Sequence, residues 1–204
     1  MELKNYLKYY FLENYLFGEV HDNFQKNGYL NAEEFFAIII WKRAASKTKI
    51  KDQLILSGKT IEGITSDIFK NKNDRRKQLD LLADIKQVGI SIASAVLTVC
   101  YPDEFTIVDV RACASLKREF HIPDYFPYDK YFTSKDNKTR NLYLAYVNKC
   151  KELRKQTEFN LRNFDRVLFG QDLYNDEKSG LRILVDKYNR KEMELKKKKS
   201  EEII

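Results

Sequence analysis

Two apolar helical segments separated by one short polar break dominate the middle of this chain. Leu79, Leu82 and Ile85 recur at helical spacing, as do Ile92, Ala93, Val96, Leu97 and Val99. Each segment therefore carries a stripe that must be buried against a neighbour. The break falls at Lys86-Gln87-Val88-Gly89. Gly89 is expected to take the positive φ that ends the first helix, leaving the amides of Ile90 and Ser91 unpaired where the second begins. Such an end holds an anion, and a nucleic-acid backbone phosphate suits it because no base need be read.

The rest of the sequence points to the same class. Only seven Gly and three Pro among 204 residues leave few turns for a many-stranded sheet, whereas runs rich in Leu, Ile, Lys, Glu and Tyr suit helices. An all-α fold is expected. With 13 Tyr, 13 Phe and one Trp, and 43% hydrophobic residues, the chain can fill one sizeable core or two small lobes. Its net charge of +7 favours a polyanionic partner, although RNA, an anionic membrane or mere solubility would be served equally.

Cys100, Cys113 and Cys150 are scattered and include no CxxC pair, so neither a disulfide framework nor a metal site is expected. A reducing cytoplasm is the simplest compartment, with association to the nucleoid as a variant. No apolar run approaches bilayer length, and MELKNYLKYY is too charged and aromatic for a signal peptide, so a soluble protein without a membrane partner is expected.

Residues 3–17 read as an aromatic-rich helix, and Asn31-Ala-Glu-Glu34 reads as a capping box opening the apolar helix FFAIIIWKRAA. That helix should be central, with Trp41 in the core. Lys42, Arg43, Lys47, Lys49 and Lys51 form a basic stretch, and Lys70, Lys72, Arg75, Arg76 and Lys77 a second, interrupted by Asp74. Both suit either a solvated helix face or phosphate contact. Residues 121–140 hold two of the three prolines and read as an aromatic loop leading to helices from about 141. The tail from Lys187, with KKKK at 196–199, reads as a fraying helix or disordered arm.

The run Leu82, Ala83-Asp84, Ile85, Lys86-Gln87-Val88-Gly89, Ile90-Ser91-Ile92, Ala93, followed by Asp109, resembles the helix-hairpin-helix DNA glycosylases. Their pattern places Pro and Gly where Lys86 and Gln87 stand, while the valine, second glycine, alanine and aspartate agree. The departure bears on the tightness of the hairpin and on any cation site built from its carbonyls. The segment LRNFDRVLFG at 161–170 is similar to a C-terminal helix of relatives of that family; packing is expected of it, with Asp165 a surface or capping residue.

The resemblance implies two helical lobes flanking a cleft that holds an extruded base. Residues of about 31–105 would form the middle lobe, residues 1–30 and 106–190 the other, and 191–204 a charged tail. It implies a monomer acting on DNA without a cofactor. Some family members carry an iron–sulfur cluster on four closely spaced C-terminal cysteines, a set this chain lacks.

Asp109 is the residue on which catalysis would rest. Breaking the C1′–N bond develops positive charge on the sugar, which a carboxylate near C1′ stabilises while it orients or deprotonates a water. The plainer alternative is that Asp109 simply caps the helix 110–120, and a helix N-terminus would also keep it ionised. Strand-nicking relatives carry a lysine two residues after the hairpin glycine; here that residue is Ser91, which implies a monofunctional enzyme leaving an abasic site. Ser91 would cap the second helix or position water. Lys86 suits a phosphate contact.

Extrusion needs a side chain to fill the gap in the stack. By analogy with the family, Arg43 stands at that position, with Lys42 before it, although a phosphate contact suits Arg43 as well. Residues 125–132 offer Tyr and Phe for a base pocket. Lys42, Arg43 and Lys86, Gln87, Val88, Gly89, Ile90 and Ser91 are thus the expected DNA contacts. The expected activity is hydrolysis of the N-glycosidic bond of a damaged or modified base. A non-catalytic helix-hairpin-helix DNA-binding module is the alternative, and a regulatory or RNA-directed protein a third.

Overall fold

The computed structural model describes residues 7–122, 136–176 and 180–201, and every regular element among them is helical. The chain opens with α1 (Leu7–Tyr10), α2 (Leu12–Tyr15), a π turn over Leu16–Val20 and α3 (His21–Asn27). The helix expected over 3–17 is therefore interrupted and runs further. It stops at Gly28, whose φ of 77° closes the helix in the left-handed region that glycine enters freely.

α4 (Ala32–Arg43) opens with the expected capping box: the Asn31 side chain accepts from the Glu34 amide at 3.0 Å and Glu34 accepts from the Asn31 amide at 2.9 Å. A turn at Ala44–Ser46 leads to α5 (Lys47–Ser57), then α6 (Ile61–Lys70), capped by Thr60, and α7 (Arg75–Ala83), capped by Asp74. Next come α8 (Ile90–Cys100), α9 (Val110–Phe120), α10 (Asn137–Arg154), α11 (Leu161–Asn175) and α12 (Leu181–Glu201). α12 continues as a helix to Glu201, the helical one of the two readings of the tail. α10 begins a few residues before the expected 141, and most of the aromatic loop, including 125–132, lies outside the described residues.

α8 is the centre of the fold. Every residue in it except Ser91 is buried, because α4, α7, α3 and α10 surround it. Its C-terminal carbonyls would be orphaned at that depth. His21 Nδ1 donates to Val99 O at 2.9 Å, and the Gln25 amide donates to Cys100 O at 2.6 Å. α3 thus closes the end of the central helix. α9 packs most extensively on α11, where Phe120 and Phe164 meet edge to face at 5.8 Å and Asp172 receives Arg111 and Arg118.

The connection from α7 to α8 corrects one expectation. Gly89 is extended (φ −83°) and stands at the N-cap of α8, while the positive φ of 75° belongs to Gln87. The turn buries Ile85 and Val88 and exposes Lys86 and Gln87. The glycine that the sequence offered is spent on the cap, so a residue with a Cβ carries the left-handed strain, at about 1–2 kcal/mol. Gln87→Gly should stabilise the protein by up to about 1 kcal/mol, raising Tm by about 2–4 °C. A melting temperature unchanged or lowered in thermal unfolding would show that the Gln87 side chain compensates the strain.

Candidate functional site: a charged cavity around Asp109

Residues 105–108 are fully buried yet belong to no helix, so their backbone groups need partners from side chains. Tyr143 and Tyr146, successive on one face of α10 and both 0% exposed, donate their hydroxyls to Thr106 O and Ile107 O, each at 3.1 Å. Ser94 on α8 accepts from the Val108 amide at 3.2 Å and donates to Ser91 O at 2.8 Å. An extended segment is thus pinned between α8 and α10. It delivers Asp109 to the start of α9.

Asp109 does cap that helix, its Oδ1 accepting from the Ala112 amide at 2.9 Å. The other carboxylate oxygen, Oδ2, receives Lys42 Nζ at 3.3 Å. The Asp109 side chain is 23% exposed and that of Lys42 13%. Both line a cavity of about 380 Å³ completed by Glu13, Trp41, Ile107, Arg162, Asp165, Arg166 and Phe169. Helices from both ends of the sequence and from its middle therefore converge on one charged, partly apolar recess.

α11 contributes more than packing. Asp165 is 3% exposed, so it is no surface residue, and the cap of α11 is Asn160, which accepts from the Asn163 amide at 2.8 Å. Arg162 bonds both Asp165 and Glu13, and Arg166 adds a bond to Glu13 at 2.9 Å. The Arg162 guanidinium lies over the Phe17 ring at 4.3 Å and the Trp41 ring at 5.5 Å. Trp41 is half-buried and divides its surface between core and cavity.

Burial pushes the Asp165 carboxyl up to about 7; Arg162 pulls against this, the charge of Asp109 adds to it, and Lys42 opposes it. Glu13, despite its own desolvation, is held below the usual carboxylate range by Arg166 and Arg162. Asp165 has a folded pKa above its unfolded value, so its protonated form stabilises the native state most below about pH 4, and that contribution is lost as pH rises towards 7. Urea unfolding at about pH 5 and about pH 8 should show wild type losing stability relative to Asp165→Asn across that interval. Parallel behaviour of the two proteins would mean that Asp165 titrates as an ordinary carboxyl.

The other expected contacts lie elsewhere. Arg43 is exposed and does not line the cavity. Lys86 borders a separate recess of about 230 Å³ with Gln53, Lys59 and Asp84. Val88 and Ile90 are buried, Gly89 and Ser91 half-buried, and Gln87 exposed. No side chain caps α8, whereas α4, α6, α7, α9, α10 and α11 each have a capping side chain. Ser91 does not cap α8 or line the cavity.

The basic stretches are partly consumed within the fold. Lys42 faces Asp109, and Arg76 bonds Asp80, Asn137 and Asn141. Sequence reasoning missed Glu13, Arg162, Asp165, Arg166, Tyr143 and Tyr146 as builders of the site. The two tyrosines carried a signal in their i, i+3 spacing, but nothing in Glu13 foretold a partner on α11. Among the described residues no helix is long and apolar enough to cross a membrane, and no cluster of metal-ligating side chains occurs. No protein-family model, curated protein or solved structure matches this chain.

Proposed function

We propose that this protein is a helix-hairpin-helix DNA glycosylase that removes a damaged or modified base extruded into the cavity around Asp109. The observation that carries the reading is the double engagement of Asp109. One oxygen is fixed by the α9 amide, and the other faces a recess in the size range, about 300–1,000 Å³, that encloses small ligands. A carboxylate whose one oxygen is fixed by a helix N-terminus is preorganised, as stabilisation of positive charge at C1′ requires. Trp41 and Phe169 supply apolar walls for a flat base, and Glu13, Arg162 and Arg166 supply groups that read its polar edge.

In this reading the cleft separates a middle lobe of about 31–105 from a lobe built of 1–30 and 106–190. α7, the turn through Gln87 and α8 form the hairpin, whose uncapped amides on α8, with Lys86 beside them, suit a backbone phosphate. The net charge of +7 favours the same partner. Incubation with genomic DNAs of differing base modification, followed by mass spectrometry for released free bases, tests the activity. Binding to duplex DNA without release of any base would leave the second reading, a non-catalytic DNA-binding module.

A further inference from the structure

Beyond that reading, and independent of any chemistry at Asp109, we propose that the groove between α4 and α5 docks an acidic amphipathic helix of a protein partner. Phe36 and Ile40, one turn apart on α4, form its apolar wall, and Lys47, Thr48 and Lys51 on α5 form the wall opposite. They line a recess of about 250 Å³ that shares no residue with the cavity around Asp109. α4 turns Phe35, Ala37, Ile38 and Ile39 into the core, and α5 turns in Ile50 and Leu54. Those faces hold the two helices to the fold, so the ridges that form the groove are left over. Ile40 is 45% exposed, and Ile55, one turn beyond Lys51, is 70% exposed.

Charge identifies the occupant. From Lys42 to Lys51 the chain carries basic residues and no acid. Lys42 turns to Asp109, whereas Arg43, Lys47, Lys49 and Lys51 stay exposed. The nearest carboxylate, Asp52, lies 3.3 Å from Lys51, but both side chains are more than half exposed, so that pair contributes little and yields to a better-placed partner. An apolar wall facing a basic one complements a helix with apolar anchors at i, i+3 and i+4 and carboxylates beside them. Nucleic acid suits the groove less well. Thr48 is its one neutral hydrogen-bonding side chain, too little to read base edges, and a phosphate gains nothing from Phe36 and Ile40. The net charge of +7 opposes a second copy of this chain.

Fluorescence anisotropy with the full-length protein tests this, using a labelled synthetic peptide of about four helical turns with leucine at i, i+3, i+4 and i+7 and glutamate on its other faces. The peptide should bind saturably. A scrambled peptide of the same composition, and one with lysine for every glutamate, should bind at least tenfold more weakly. Ile40→Asp and the double variant Lys47→Glu with Lys51→Glu, all at exposed positions that leave the fold intact by circular dichroism, should each lower the affinity at least tenfold. Absence of saturable binding, equal binding of the scrambled peptide, or unchanged affinity in the variants overturns the proposal. So does a dimer of wild type in light scattering that Ile40→Asp dissolves, which would give the groove to a second copy. Displacement of the peptide by duplex DNA, with DNA affinity itself lost in Ile40→Asp, would give it to nucleic acid and overturn the proposal equally.

Discussion

Asp109→Asn should lower base release by about 10³-fold or more, about 4 kcal/mol of transition-state stabilisation. The isostere retains an oxygen for the Ala112 amide, so the cap of α9 survives with a stability change of about 1 kcal/mol or less. What disappears is the negative charge facing the cavity and its contact with Lys42. Binding to unmodified duplex should stay within about threefold, because the proposed reading places it on phosphate contacts away from Asp109. Single-turnover base release and duplex binding, measured on protein with an unchanged circular dichroism spectrum, check both parts. Release at the wild-type rate would remove Asp109 from the mechanism and reduce it to a helix cap.

The double variant Tyr143→Phe with Tyr146→Phe should be less stable by about 2–5 kcal/mol, a large share of the total for a domain of this size. Each substitution keeps the ring and its packing but leaves a buried carbonyl, Thr106 O or Ile107 O, without its donor. Because those carbonyls belong to the segment that ends at Asp109, activity should fall beyond the loss of folded protein, by about tenfold or more. Urea unfolding, and base release well below the melting temperature, separate the two effects. Wild-type stability would show that the hydroxyls contribute nothing net, and wild-type activity in the folded fraction would show that the segment holds its place without them. The single variants should add, unless the two carbonyls shift together.

What could be read directly from the residues was local. The helical class follows from periodicity and from the scarcity of Gly and Pro. The box at Asn31 and Glu34 closes as written, and Asp109 begins a helix, because caps and short-range periodicity depend on neighbours a few residues apart. Even the α7–α8 turn was legible as a turn, although the residue bearing its positive φ was not. Gly89 can occupy either position, and only the packing of Ile85, Val88 and Ile90 on both sides of the turn sets Gln87 as the left-handed one.

The site depended on long-range placement. Lys42 and Asp109 are 67 positions apart, and Glu13 and Arg162 are separated by 149, so no periodicity links them. Asp165 read as a capping or surface aspartate, although Phe164 and Val167 flank it closely; the burial of α11 against α9 and α10 turned it into a desolvated carboxyl beside Asp109. Sequence fixes which groups can ionise, cap or attack. Folding fixes which of them share a cavity, and it is the fold that sets Lys42 Nζ 3.3 Å from the Asp109 carboxylate there.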